Sequence, residues 1–465
     1  MFHLPIKDFL EKVCNEIKYK PIREEISKEL ENHIEESKEI YIHKGESEEI
    51  AINKAIADMG DAEVIGKTLN KIHRPKLDYK LIILLLILLC FTFLVVGIKT
   101  TSHVFSEEEG PFFIKTIIYL IIGFILGLGI YFMNYTKIPK YSNYIYIAAS
   151  ILIIYTVLFS NYQVNGIPYL NVGNIFTVSI STVAMPLFLI SFIGFIQSVG
   201  KHKVEFHILN LETIQIDKSL IKIIILSVFS LLLLASIPSL TSAFVLGMAY
   251  MIIATVKILK DSHKKVTNLL KLWGIIFVLG SICIITLTAG APYLLERMVT
   301  TFYPETDPEG AGWLSINRKL IIESASMFGE AEDMSNALEL FDEGTEFAFT
   351  SILAHYGWIV AILLIITIIL ISVKLIINSI KVKDAYGKML IIGISCLFIL
   401  QSVFNVLMNL NLWFEAGFEL PFVSYGGTGL IMNIACLALV LSIYRRKDIL
   451  ISSDNEKVAG ATQSE

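Results

Sequence analysis

Residues 419–430 read ELPFVSYGGTGL and lie between two long apolar runs. Plain aliphatics would suffice to carry a chain into a membrane-type segment. This chain enters instead through Pro421, Ser424, Tyr425 and the pair Gly426–Gly427. Proline lacks an N–H and suits a helix start, while adjacent glycines allow close backbone approach or a broken helix. Irregular backbone at membrane depth is tolerated only when buried in protein or lining a cavity. Helix amides exposed beside a cavity also make a ready anion site. Two readings fit the stretch: tight helix packing, and one wall of a binding site.

Composition supplies the setting. The chain has 465 residues, 54% hydrophobic and 17% charged, with a mean hydropathy of +0.66. Soluble domains sit nearer about 25% charged, so a membrane protein is expected. The net charge of −5 carries no basic excess, which argues against a nucleic-acid partner. The cysteines at 14, 90, 283, 396 and 436 show no CxxC pair or metal-ligand spacing and read as free thiols. The amino terminus opens on a charged amphipathic stretch, so no cleavable signal peptide is expected.

Working outward, residues 1–78 are rich in Glu and Lys, with apolar residues at helical spacing: Ile26, Leu30 and Ile34, then Ile52, Ile56 and Met59. Gly45 and Gly60 read as helix stops and Pro21 as a first-turn residue. A small soluble helical domain is expected there. Residues 79–447 hold ten apolar segments able to cross a hydrocarbon core of about 30 Å. They run near 81–98, 112–133, 143–159, 175–198, 219–237, 240–257, 273–295, 348–376, 388–410 and 420–444. The fold class is thus all-α, polytopic, with a soluble prefix. Residues 448–465 form a tail.

Lysines and arginines fall in alternate loops: Lys137 and Lys140, Lys201 and Lys203, five lysines from 257 to 271, Lys381 to Lys388, and Arg445 to Lys447. Positive-inside logic places both termini in the cytoplasm. The connection 296–346 then lies outside, with twelve acidic residues against the cations Arg297, Arg318 and Lys319. Unstructured connections beyond about 15 residues are usually functional or disordered. This one reads either as a solvated acidic loop or as a lid over a site at the outer membrane face.

Polar groups within apolar spans mark where to look for chemistry. Gln401, Asn405 and Asn409 recur every fourth residue, which puts three amides on one helix face. They can line a substrate cavity or bond helix to helix. Glu346 stands where the acidic loop meets the next span and is a general-base candidate. His355, nine residues on, falls roughly 180° around the helix from it, and reads as a buried, hydrogen-bonded histidine.

The run from Gln401 to Arg446 resembles the carboxy-terminal signature of the FtsW/RodA/SpoVE (SEDS) family, ten-span bacterial proteins of cell-wall synthesis. Gln401, Asn405, Gly417 and Leu420 to Gly427 match its pattern without a gap. Residues 296–313 resemble its outside loop at Arg297, Pro304, Asp307, Pro308 and Gly312, and residues 344–360 its next element at Thr345, Phe347, Phe349 and Gly357. The prefix resembles a domain that precedes some Gram-positive membrane proteins.

The resemblance implies a peptidoglycan glycosyltransferase of the plasma membrane, acting in cell division, cell shape or sporulation. Its substrate would be the lipid-linked precursor lipid II, and its partner a class B penicillin-binding protein with transpeptidase activity. Glu346 occupies the position of the family's essential Asp, one methylene longer. Arg297, Arg318 and Lys319 would meet the diphosphate, with a divalent cation (magnesium or manganese) as a substitute. Gln401, Asn405, Pro421, Ser424, Tyr425, Gly426 and Gly427 would form the substrate wall. The chain departs from the pattern at Pro168–Tyr169 (Arg-Trp in the family), at 179–181 (Pro-Ser-Glu), at Ser239 (Asp), and at Ala354–His355 (paired glutamates). A catalytically impaired scaffold for a transpeptidase or division partner is the alternative, and a flippase for a lipid-linked precursor a third.

Overall fold

The computed structural model describes residues 4–72, 76–102, 112–160, 162–164, 167–172, 176–197, 203–208, 211–237, 240–261, 299–310, 312–332, 345–414 and 416–447. The chain divides into two compact units. One comprises Met1–Asp78, Lys381–Ala385 and Ile443–Glu465; the other comprises Tyr79–Ile380 and Tyr386–Ser442.

The first unit is built on four helices: α1 (Leu4–Glu16), α2 (Arg23–His43), α3 (Glu48–Met59) and α4 (Ala62–Ile72). Ile6, Phe9, Leu10 and Val13 recur at helical spacing and bury one face of α1 against Ile26, Ile34 and Ile52. Gly45 and Gly60 follow α2 and α3 at φ of 91° and 89°, the left-handed conformation that ends helices. Asp61 caps α4, its Oδ1 accepting from the N–H of Glu63 at 2.7 Å.

The second unit carries the apolar helices α5 (Tyr79–Ser102), α6 (Phe112–Phe132), α7 (Ile138–Phe159), α8 (Ile180–Ile196), α9 (Lys218–Ser236) and α10 (Leu240–Asp261). After the shorter α11 (Trp313–Ser324) come α12 (Ala348–Lys381), α13 (Ala385–Asn409) and α14 (Gly427–Arg445). Among the described residues seven helices are long and apolar enough to cross a membrane, and two shorter apolar ones, Ile180–Ile196 and Lys222–Ser236, accompany them. These match nine of the ten expected spans. The expected span 273–295 lies outside the described residues, as do Arg297 and Ser239. The last span begins later than its apolar run implied, at Gly427, because the preceding residues form a turn.

Helix faces divide as a membrane demands. Along α12, Ile362, Leu363, Ile366 and Ile369 are exposed while Leu364, Ile368 and Ile371 are buried; the outward set is as apolar as the inward one, which suits lipid and not water. Gly123 and Gly127 let α6 lie against α14, since a Cβ at Gly123 would come 2.8 Å from Ile434 Cδ1. Tyr146 packs on Phe188 with centroids 5.1 Å apart and donates to the Leu226 carbonyl at 2.8 Å, tying α7 to α8 and α9.

Two small antiparallel β elements interrupt the all-α pattern. Strands β1 (Tyr162–Val164), β2 (Ile167–Val172) and β3 (Phe176–Val178) form a three-stranded sheet between α7 and α8, with Tyr162 opposite Tyr169 and Leu170 opposite Val178. Strands β4 (Lys203–Ile208) and β5 (Leu211–Asp217) make a hairpin before α9.

One span is broken. Within α12, Gly357 has φ 81° and ψ 179°. Residues 326–331 fill the break: Trp358 and Ile359 donate their N–H groups to the carbonyls of Ser326 and Met327, both at 3.1 Å. Gly329 and Ala331 in turn donate to those of Tyr356 (3.3 Å) and Ala354 (2.7 Å). A Cβ at 357 would stand 2.7 Å from the Ser326 oxygen, so the site admits glycine. Beyond the break, 358–381 still measures about 36 Å, enough to span.

Candidate functional site

Glu346 lies in a 3-10 turn, Thr345–Phe347, that leads into α12. Its backbone is fixed from α13. The Nδ2 of Asn405 donates to the Glu346 carbonyl at 2.8 Å, and the Nδ2 of Asn409 to the same oxygen at 3.0 Å. Asn405 Nδ2 also donates to the Phe418 carbonyl at 2.6 Å. Asn409 Oδ1 accepts from the Thr350 hydroxyl at 2.6 Å. Both amides are buried, at 0% and 1% exposure. The polar stripe therefore serves two purposes. Gln401 borders a pocket between α8, α13 and α14 together with Thr182, Glu419 and Asn433. The expectation that Asn405 meets substrate is corrected: its amide is enclosed and committed to the backbone that carries Glu346.

The stretch that opens α14 is a tight turn. Val423 donates its N–H to the Leu420 carbonyl at 3.1 Å, and Phe422 takes φ 68°, uncommon for a side chain of that size. Thr92 of α5 donates to the Phe422 carbonyl at 2.8 Å and holds the turn. Ser424 Oγ accepts from the Leu420 N–H at 2.8 Å. Pro421 and Ser424 are thus buried, structural members of the wall, although Pro421 also borders the pocket. Tyr425, Gly426 and Gly427 are partly open. Tyr119 covers Gly427 so closely that a Cβ there would come 2.4 Å from its ring. Thr428 joins the wall to β3 and α8 by accepting from the Ser179 N–H at 3.1 Å.

Of the three expected cations, Arg297 lies outside the described residues. Arg318 has no exposed surface. Its Nε donates to Asn411 Oδ1 at 2.8 Å and its Nη2 to Ser315 Oγ at 3.1 Å, and the guanidinium sits 5.5 Å from the Phe347 ring centroid. In place of an open face toward a diphosphate, its donors join Asn411 and Ser315 and its guanidinium covers Phe347, the residue next to Glu346. Lys319 is exposed. Half-buried His355 contacts its own helix, Nδ1 lying 3.0 Å from the Ser351 carbonyl.

Three further residues join the site: Lys99 and Glu419, which the sequence did not single out, and Tyr169, noted there only as a departure from the family pattern. Lys99, in the last turn of α5, places Nζ 5.8 Å from the Tyr425 ring centroid. Tyr169 of β2 feels the charges of both Glu419 and Glu346, and burial first, then these charges, push its hydroxyl up to about 12. Glu419 is half-buried beside Gly429, where a Cβ would come 2.8 Å from its Oε2. Burial, reinforced by the charge of Glu346, pushes its carboxyl up to about 7. The signal for Lys99 and Glu419 was their place just outside apolar runs, which sequence alone left undirected.

No three His, Cys, Asp or Glu converge on a common point among the described residues.

These helices, with one span broken and the backbone of Glu346 held at its head, define a polytopic membrane protein. The chain matches the cell cycle protein family FTSW_RODA_SPOVE over residues 78–449, and belongs to that family. It is 28% identical over 176 residues to the probable peptidoglycan glycosyltransferase FtsW of Trichlorobacter lovleyi, covering 36% of this chain and 46% of that one. It is 23% identical over 428 residues to the peptidoglycan glycosyltransferase RodA of Treponema pallidum, covering 80% and 98%. The match thus spans about half the length of the FtsW relative and nearly all of the RodA relative. Among solved structures, a chain from work on the structural coordination of polymerization and crosslinking by a peptidoglycan synthase complex superposes with a TM-score of 0.62 at 18% identity, covering 80% of this chain and 98% of that one. The crystal structure of the rod shape determining protein RodA of Thermus thermophilus gives 0.53 at 17% identity, over 80% and 97%.

Proposed function

We propose that this chain polymerises lipid II as a peptidoglycan glycosyltransferase, with Glu346 as the base. The carrying observation is the pair of buried amides that fix the Glu346 backbone beside the turn 420–427. In the reaction a sugar hydroxyl of one lipid II attacks the anomeric carbon of another. The new oxygen–carbon bond forms as the bond from that carbon to the diphosphate breaks. The electron pair leaves with the lipid diphosphate, and the hydroxyl proton passes to Glu346. Fixing the backbone from which the carboxylate extends is what the amide clamp contributes to its placement. Lys99, beside Tyr425, and exposed Lys319 are the described cations for the departing diphosphate.

The alternating lysine-rich loops support a plasma-membrane orientation with both termini in the cytoplasm and Glu346 at the outer face. The names of the relatives support the activity. The likeness to a chain of a complex that coordinates polymerization and crosslinking supports a crosslinking partner, for which a penicillin-binding transpeptidase is the proposal.

The test is polymer formation by purified protein from lipid II, with and without magnesium or manganese. Glycan chains are expected from the native chain and none from Glu346→Gln. A Glu346→Gln variant that forms no polymer yet supports normal cell shape would favour the scaffold instead, and one that still polymerises would remove Glu346 from its role.

A further inference from the structure

Glu419 is a carboxyl that the reaction above leaves unused, and three observations tie it to Glu346. One nitrogen, Asn405 Nδ2, holds both the Glu346 carbonyl and that of Phe418, the residue before Glu419. The Glu419 side chain borders the pocket that Gln401 lines, against the first turn of α14 at Gly429, and among the described residues no donor reaches its carboxyl. Finally, the charge of Glu346 acts on Glu419, and Tyr169 feels both. The surroundings are otherwise poor in charge. The 3-10 turn contributes Glu346, β2 contributes Tyr169 and α14 the Cys436 thiol, while α8 and α13 present Thr182 and Gln401.

We propose that Glu419 is a positioning residue for Glu346: Asn405 ties the backbone at Glu346 to that just before Glu419, and of the two carboxyls Glu419 keeps the proton while Glu346 stays ionised to act on substrate. Two carboxylates sharing a site cannot both ionise freely, so the proton settles on the one with fewer donors. Glu419, half-buried against the first turn of α14 and without a donor among the described residues, is that one. No bond is made to it and its proton is not consumed. The hydroxyl proton still goes to Glu346, and the electron pair still leaves with the diphosphate. Above neutrality a second negative charge develops beside the site and opposes an anionic substrate.

The proposal rests on the glycosyl-transfer reading, but its first test does not need activity. Infrared titration of the full chain in nanodiscs without substrate should show a protonated-carboxyl band that fades as pH rises through about 7. Glu419→Gln should remove that band. Glu346→Gln should keep it but move its titration to lower pH, by roughly tenfold in proton concentration or more. An unmoved titration in Glu346→Gln overturns the pairing. In polymerisation assays, kcat/KM of the native chain should fall above neutrality. Glu419→Gln should lack that fall, exceeding the native value by about threefold or more at alkaline pH. Profiles of identical shape in the two proteins would reduce Glu419 to a packing role. If the native chain makes no polymer under any condition, the glycosyl-transfer reading fails, and the infrared result still judges the pair.

Discussion

Asn405 and Glu346, 59 residues apart in the chain, meet through a 2.8 Å hydrogen bond from the amide nitrogen of the first to the carbonyl oxygen of the second. The contact converts a stripe of polar residues inside a span into a support for a carboxylate. Replacing Asn405 by Leu keeps the volume but strands the Phe418 carbonyl, at about 1–3 kcal/mol when buried without a partner, and leaves the Glu346 carbonyl to Asn409 alone. We expect kcat on lipid II to fall by roughly 10- to 100-fold with KM little changed. Initial rates at saturating substrate check this, and an unchanged kcat would make the contact ordinary packing.

Arg318 offers a complementary test, because bracing and direct substrate contact leave different kinetic signs. Arg318→Met removes the bonds to Asn411 and Ser315 and the contact with Phe347. The expected result is a lower apparent Tm together with a fall in kcat. A raised KM with unchanged stability would return the guanidinium to the diphosphate.

At Gly357 the prediction concerns stability alone. An alanine there must adopt φ 81° and bring its Cβ within 2.7 Å of the Ser326 oxygen. A left-handed conformation and a close clash together should cost about 2 kcal/mol or more. Thermal unfolding and protease sensitivity near 326–331 would register it. A variant as stable as the native chain would show that the break is not held by this contact.

Glu419 gives the protein a pH dependence of defined sign. Its carboxyl rises from an ordinary 4.5 to about 7 on folding, so between those values the folded state binds more protons than the unfolded one. Stability is therefore fully present below the lower value and is lost as pH rises through the higher. Apparent Tm should fall between about pH 5 and about pH 8 in the native chain and stay flatter in Glu419→Gln. Parallel curves would count against a buried, neutral carboxyl.

Much of the scaffold is readable from local pattern. Residues 81–98 are uncharged and apolar but for Thr92, and Ile6, Phe9 and Val13 recur at helical spacing, so these helices follow from local pattern. The spans near 143 and 240 ran longer than their apolar cores, since α7 begins at Ile138 and α10 continues to Asp261 through residues that a hydropathy window discounts. The break at Gly357 was invisible because what fills it, the backbone of 326–331, is distant in sequence and contributes carbonyls rather than side chains. Arg318 looked like a free cation for a similar reason: its partner Asn411 lies 93 residues away. Glu419 was read as flanking sequence, and only its position beside Gly429 and the Asn405 clamp gives it neighbours to act on.

The clasp at Gly357 also carries an order of events. The carbonyls of Ser326 and Met327 leave the ribosome before the helix whose exposed amides they receive. The ligand for the break is thus already made when the break is inserted, and the amides of Trp358 and Ile359 need not face lipid while waiting for one. Reversing that order, as a circular permutation opened between 331 and 345 would do, should slow the maturation of this span while leaving its final geometry available.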